Sequence, residues 1–284
     1  MGGAPLNFSV SSQRLGNAVS LLSGVGDDEL GRKALRQMNS LGLNTDFVQI
    51  VDTAPTGTAQ VTLDKSGSAT FEIGRPAAFD VLNVNSSLIE RCQATLPDWI
   101  YFGTLANTHA PTEEMLHNLV SQLQPVGCFY DVNLRDGHWN LPLVERLSTL
   151  ATVTKLNDQE AKCLFDLKFE KQPYTLEGFC QRWSDAFEVE LICVTMGSAG
   201  CALYSDNIFR TFEGYSVDVV DTVGAGDAFA AGLLHGLNLD WSSQRTATFA
   251  NALGAMIASR RGATPAWTLE ECHALIGSRT EVAP

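Results

Sequence analysis

The segment from Asp221 to Phe229, DTVGAGDAF, sets two glycines around one alanine and follows them with an aspartate. Phe229, Leu233 and Leu237 then recur at helical spacing, so the spacing predicts a helix that begins within the segment. Gly224, Ala225 and Gly226 fall at its N-terminus. Backbone N–H groups there lack intrahelical partners, and the macrodipole is positive. Small side chains let an anion approach that backbone closely. Asp227 stands in the first helical turn, where a carboxylate could take a proton from a substrate hydroxyl while the N–H groups hold charge on a transferring phosphoryl group. The plain alternative is a tight strand-to-helix turn with an ordinary first-turn acid.

Three further segments carry polar groups at expected strand ends. Lys155-Leu156-Asn157-Asp158-Gln159-Glu160 puts Asn157 and Glu160 three residues apart, on one side of a starting helix. Oxygen groups of this kind suit Mg²⁺ held through water. Read alone, an N-cap with a capping-box acid explains them better. Asp131-Val132-Asn133-Leu134-Arg135 could meet a polyhydroxylated substrate, or form a solvated loop in which Arg135 pairs with a nearby acid. Thr195-Met196-Gly197-Ser198-Ala199-Gly200 could wrap nucleotide phosphates, although strands often end in glycine turns. Neither a Walker A sequence nor a dinucleotide fingerprint occurs.

Strand-like and helix-like stretches alternate along most of the chain, which predicts a mostly parallel sheet covered on both faces, with ligands beyond the carboxyl ends of the strands. Asp98 to Gly103, Val126 to Val132, Thr152 to Leu156 and Leu191 to Met196 read as strands. Thr112 to Leu123 reads as a helix with Thr112 as N-cap; Asp227 to Leu239 and Gln244 to Arg260 read as the two closing helices. Residues 57–74 break the rhythm as a β-hairpin around Asp64-Lys65-Ser66-Gly67, a lid or a dimer contact, or decoration on a sheet edge. The net charge of -13 argues against nucleic acid or an anionic membrane as partner. The seven widely spaced cysteines read as reduced thiols of a cytoplasmic protein, and no signal peptide or membrane span is legible.

Together these segments resemble the ribokinase, or PfkB, family of carbohydrate kinases along nearly the whole chain and in the family's order. GGAPLN resembles the family's sugar-binding glycine pair and asparagine, GVGDD the segment after it, TGTAQVTLD the lid hairpin, KLNDQE the N-x-x-E motif, VTMGSAG the nucleotide loop and DTVGAGDAF the signature. The resemblance implies a ribokinase-like doubly wound α/β fold with a small β lid. It implies Asp227 as catalytic base, Gly224, Ala225 and Gly226 as anion hole, and Gly2, Gly3, Asn7, Asn133 and Arg135 as sugar ligands. It further implies Asn157 and Glu160 around Mg²⁺, Thr195, Gly197, Gly200, Asn157 and Asn251 around ATP, and Asp221 and Val223 at a monovalent cation such as K⁺.

GGAPLN, YFGTLA and DVNLRDGHW most resemble fructokinases; 2-keto-3-deoxygluconate kinases share a similar asparagine and arginine, and Arg135 would suit a sugar-acid carboxylate. In one respect the chain departs from the family. Members begin with a strand that carries a sugar-binding aspartate, and that strand is absent here. Its absence is expected to expose strand edges, to open a cavity, and to mark an N-terminally shortened sequence. A catalytically weak sugar- or nucleotide-binding protein is the alternative that this absence raises.

Overall fold

The computed structural model describes residues 1–63, 69–83, 85–170 and 172–280. Among these residues ten strands run in chain order: β1 (Ser23–Gly26), β2 (Val48–Val51), β3 (Ala59–Leu63), β4 (Ala69–Ile73), β5 (Trp99–Gly103), β6 (Gly127–Asp131), β7 (Val153–Asn157), β8 (Leu191–Thr195), β9 (Cys201–Ser205) and β10 (Ile208–Phe212). The helices are α1 (Ala4–Arg14), α2 (Glu29–Ser40), α3 (Ser86–Ala94), α4 (Ala110–Leu123), α5 (Leu141–Ser148), α6 (Asp158–Lys168), α7 (Leu176–Phe187), α8 (Ala225–Asn238), α9 (Ser243–Ala258) and α10 (Leu269–Thr280). The main sheet has six strands in the order β10-β9-β8-β7-β6-β5. β5 to β8 are parallel, and the β9–β10 hairpin adds two antiparallel strands.

Side-chain alternation sorts the two faces. Phe129, Val153, Cys193 and Leu203 pack on one face beneath α1, α8 and α9, where Phe8, Phe229, Leu233, Phe249 and Leu253 meet them. Cys128, Tyr130, Leu156, Ile192 and Val194 turn to the other face, against Leu116, Val144, Leu147, Phe165, Phe179 and Trp183 of α4 to α7. Strands covered on both faces read as near-continuous apolar runs, as GCFYD does in β6. Among the described residues no helix is long and apolar enough to cross a membrane, and all seven cysteines are free.

Most sequence expectations for elements hold within a residue or two. Three do not. The α4 N-cap is His109 rather than Thr112, because Pro111 occupies the first turn, where its missing N–H is harmless. α10 follows the two helices expected to close the chain. The β9–β10 hairpin, turning on Asp206 and Asn207 at positive φ, has no counterpart in the expectations. Strands β3 and β4 form the expected antiparallel ribbon, while its turn at Asp64 to Gly67 lies outside the described residues. Both roots of the ribbon are tied down. Asp28 accepts hydrogen bonds from the Thr56 N–H and hydroxyl at 2.8 and 2.7 Å. Arg75 binds Asp80, the Leu105 carbonyl and Thr108.

Among the described residues β1 and β2 pair only with each other, and β5 is an edge of the main sheet. A cavity of about 1620 Å³ lies between these elements, lined by Ser23, Val25, Trp99, Tyr101, Leu116 and Asp227 among others. Met1, Gly2 and Gly3 also line it, so the start of the chain reaches the space.

Candidate active site

Helix α8 starts at Gly224, an N-cap with φ of 82°, in the left-handed region. A Cβ at Gly224 would lie 2.2 Å from the Ala263 carbonyl oxygen, so only glycine fits. Gly226 is open, and its backbone is exposed. The N–H groups of Gly224, Gly226 and Asp227 donate to no backbone carbonyl, whereas the Ala225 N–H reaches the Thr222 carbonyl at 3.2 Å. The unpaired donors are therefore Gly224, Gly226 and Asp227, and Ala225, expected in the anion hole, has its N–H engaged in the turn. Asp221 shapes the loop: its two carboxylate oxygens accept from the Val223 and Gly262 N–H groups, both at 3.0 Å. The carbonyls of Asp221 and Val223 accept no backbone N–H, which leaves hard oxygen donors of the kind a monovalent cation takes.

Asp227 sits in the first turn of α8 and is 8% exposed. Asn7 of α1 donates its amide to the Asp227 carboxylate at 2.8 Å. The Asn7 amide oxygen is buried without a partner, an acceptor left open for a hydroxyl. Burial, and next the charge of Asp131, push the Asp227 pKa up to about 6, against the Asn7 hydrogen bond, Lys155 and Arg135, which favour the carboxylate. Gly2, Gly3, Asn7, Asn133, Arg135, Gly224, Gly226 and Asp227 all line the same large cavity. Asn133 has φ of 41°, a left-handed backbone at the end of β6 that asparagine tolerates.

Glu160 joins two of the motif segments. One carboxylate oxygen accepts from the Asn157 N–H at 2.9 Å and the other from the Leu134 N–H at 2.7 Å. Asn157 returns the bond to the Glu160 N–H at 2.8 Å, completing a capping box at the start of α6. The capping reading is thus present in full, and the same carboxylate clamps the loop that carries Arg135. Among the described residues no cluster of three or more His, Cys, Asp or Glu side chains could hold a metal directly. A Mg²⁺ ion at Asn157 and Glu160 would be held through water, using the remaining carboxylate lone pairs.

Thr195 ends β8 opposite Asn157. Gly197 is open with φ of 56°, and Gly200 is closed in: a Cβ there would lie 2.1 Å from the Phe212 carbonyl oxygen. Asn251 of α9 donates to the Phe212 and Glu213 carbonyls at 3.4 and 3.3 Å. Thr195, Gly197, Gly200 and Asn251 thus gather at the ends of β8 to β10, beside the capping box. Gly200 serves the turn itself. Three residues without an expected role also belong to the centre. Tyr101, Asp131 and Lys155 point to the α8 face, and Asp131 binds the other two. The signal was present, since charged residues alternate inward within buried strands.

The chain is similar to known proteins along nearly its whole length. Residues 1–269 match the pfkB family of carbohydrate kinases. Fructokinase-1 of Oryza sativa subsp. japonica is 28% identical over 287 residues, covering 95% of this chain and 85% of that protein. The crystal structure of a Xylella fastidiosa fructokinase with bound ATP superposes with a TM-score of 0.86 at 26% identity, over 98% of this chain and 91% of the other. A putative ribokinase II from E. coli, apo form, gives a TM-score of 0.83 at 22% identity, covering 98% and 89%, which places the fold as ribokinase-like.

Two stability measurements check the local physics. Gly224→Ala is expected to lose roughly 2 kcal/mol or more in urea unfolding, and a neutral result would remove the steric argument. Because the folded pKa of Asp227 is raised, the native chain binds more protons than the unfolded one between 3.8 and about 6, and stability is lost as pH rises through that window. Asp227→Asn is therefore expected to stabilise the protein at pH 7 by on the order of 2 kcal/mol. The gain should vanish near pH 3, and a gain that is independent of pH would contradict the assignment.

Proposed function

The chain belongs to the pfkB family of carbohydrate kinases, and from that premise we propose that it transfers the γ-phosphoryl group of ATP to a hydroxyl of a fructose-like sugar. One juxtaposition carries the reading: a buried carboxylate, Asp227, stands in a helix first turn whose N–H groups are unpaired, and it faces a cavity shared with Asn7, Asn133 and Arg135. Asp227 accepts the proton of the attacking hydroxyl. That oxygen forms the new bond to the γ-phosphorus as the bond to the β–γ bridging oxygen breaks, and ADP leaves. A base with a pKa of about 6 is ionised near pH 7 yet basic enough to take the proton. The N–H groups of Gly224, Gly226 and Asp227 receive the charge that develops on the phosphoryl oxygens.

Thr195, Gly197 and Asn251 flank the nucleotide, and Gly200 shapes the turn between them. Asn157 and Glu160 would hold Mg²⁺ through water, and the ion when bound would neutralise phosphate charge. The carbonyls of Asp221 and Val223 suit K⁺. Gly2, Gly3, Asn7, Asn133 and Arg135 hold the sugar. The motif spelling around Asn133 and Arg135 favours fructose, while 2-keto-3-deoxygluconate would use the Arg135 guanidinium against its carboxylate. The ribbon β3–β4 covers the site as a lid and offers a contact to a second copy.

The unpaired edges of β1 and β5 and the large cavity between them favour a second reading, a protein that binds sugar or nucleotide but turns over slowly. A coupled assay of ADP release with fructose, ribose, adenosine and 2-keto-3-deoxygluconate separates these readings. Fructose is expected to give the highest kcat/KM. Binding without release from any of the four would favour the second reading. Asp227→Asn is expected to lower kcat by about 10²- to 10⁴-fold with ATP binding retained, and unchanged turnover would reject Asp227 as the base.

A further inference from the structure

Lys155 and Asp131 are direct partners in the parallel β6–β7 register. Both side chains are buried, Lys155 at 6% and Asp131 at 2% exposure. The Lys155 ammonium donates to one Asp131 oxygen at 2.8 Å, and the Tyr101 hydroxyl donates to the other at 2.9 Å. Tyr101 is held in turn by the Phe8 ring, stacked with centroids 3.7 Å apart. The ammonium also lies under the start of α8, since a Cβ built on Gly226 would be 3.8 Å from it. The network is thus pressed against the turn that carries Asp227.

We propose that the buried Lys155–Asp131 ion pair is a positioning device for Asp227: it sits under the turn that carries this carboxylate, where its two opposite charges act on it in opposite senses. The proposal rests on the reading of Asp227 as the base. Two carboxylates buried in one region cannot both ionise without a counter-charge. Here Lys155 and the Tyr101 hydroxyl both bind the Asp131 carboxylate, and the charge of Asp131 makes a negative charge on Asp227 more costly. The charged and titratable groups around Asp227 come from several elements: Asp131 of β6, Lys155 of β7, Arg135 of the loop after β6 and Tyr101 of β5, with Glu160 of α6 acting on Lys155. Asn7 of α1 adds an uncharged donor. An ion pair kept only for folding gains little over an apolar pair of the same volume. This one stands where its two charges act on the reacting carboxylate with opposite sign.

The test uses the full chain with Lys155→Met, Asp131→Asn and the double substitution. Two readouts are taken: the acid limb of the kcat pH profile, and the Asp227 carboxyl titration by difference infrared, identified by its loss in Asp227→Asn. Lys155→Met is expected to move the Asp227 midpoint up by about one unit, and Asp131→Asn to move it down by about as much. The double variant should fall between the two. Shifts of the same sign, or an Asp227 midpoint unmoved by either substitution, would overturn the proposal. If Lys155→Met does not fold, Asp131→Asn and the charge-balanced double variant decide it, because an unmoved midpoint in Asp131→Asn is enough to sink it. If the carboxyl titration shifts as expected while the kcat limb does not follow, the ion pair governs Asp227 but Asp227 is not the base. The two failures are thereby distinguished.

Discussion

A buried carboxylate is withdrawn from water yet must still be able to carry its charge, and the centre of this chain is organised by that conflict. Burial of Asp227 raises the cost of its charge. The positive end of α8, the amide of Asn7 and the ammonium of Lys155 return part of that cost. Each comes from a different element, so α1, β7 and α8 must meet at one point. The packing supplies this, with α1 against α8 and α8 over the face of the sheet on which Lys155 and Asp131 project. The left-handed turn at Gly224 starts the helix whose first turn carries Asp227, and the fold bears the cost of a buried charge there.

Where the chemistry depends on short motifs, much of it was legible in the sequence. DTVGAGDAF encodes its own helix start, and the alternation of strands and helices is enough for the doubly wound sheet. The order KLNDQE then DTVGAGDAF points to a phosphoryl-transfer centre. What could not be read were relations between segments. The Glu160 bond to the Leu134 N–H ties residues 26 apart in sequence, and the Asn7 bond to Asp227 spans 220. The engaged Ala225 N–H depends on how the turn closes on Thr222. Lys155 was read as part of a motif rather than as a charge under a helix, because only the register of β6 with β7 brings it to Asp131.

The two halves of the site are built differently. The side proposed for phosphate rests on β7, β8 and α8, continuous with the large sheet and its two cores. The side proposed for the sugar draws on the chain start, α1 and the end of β6, and borders the space between β1 and β5. Glu160 is the link between them, since one carboxylate caps α6 and fastens the loop of Asn133 and Arg135. Displacement of either half is felt by the other through two short hydrogen bonds.

The β3–β4 ribbon has the mechanics of a cantilever. With Thr56 fastened by Asp28 at one root and Arg75 fastened by Asp80 and Thr108 at the other, the base cannot swing as a door does. A load on the ribbon becomes twist along two strands, and that twist is delivered to β1 and α2 through Asp28, the N-cap of α2. If the ribbon covers the site as proposed, that movement is an elastic deformation that springs back, with the stiffness set by the two clamps rather than by a hinge.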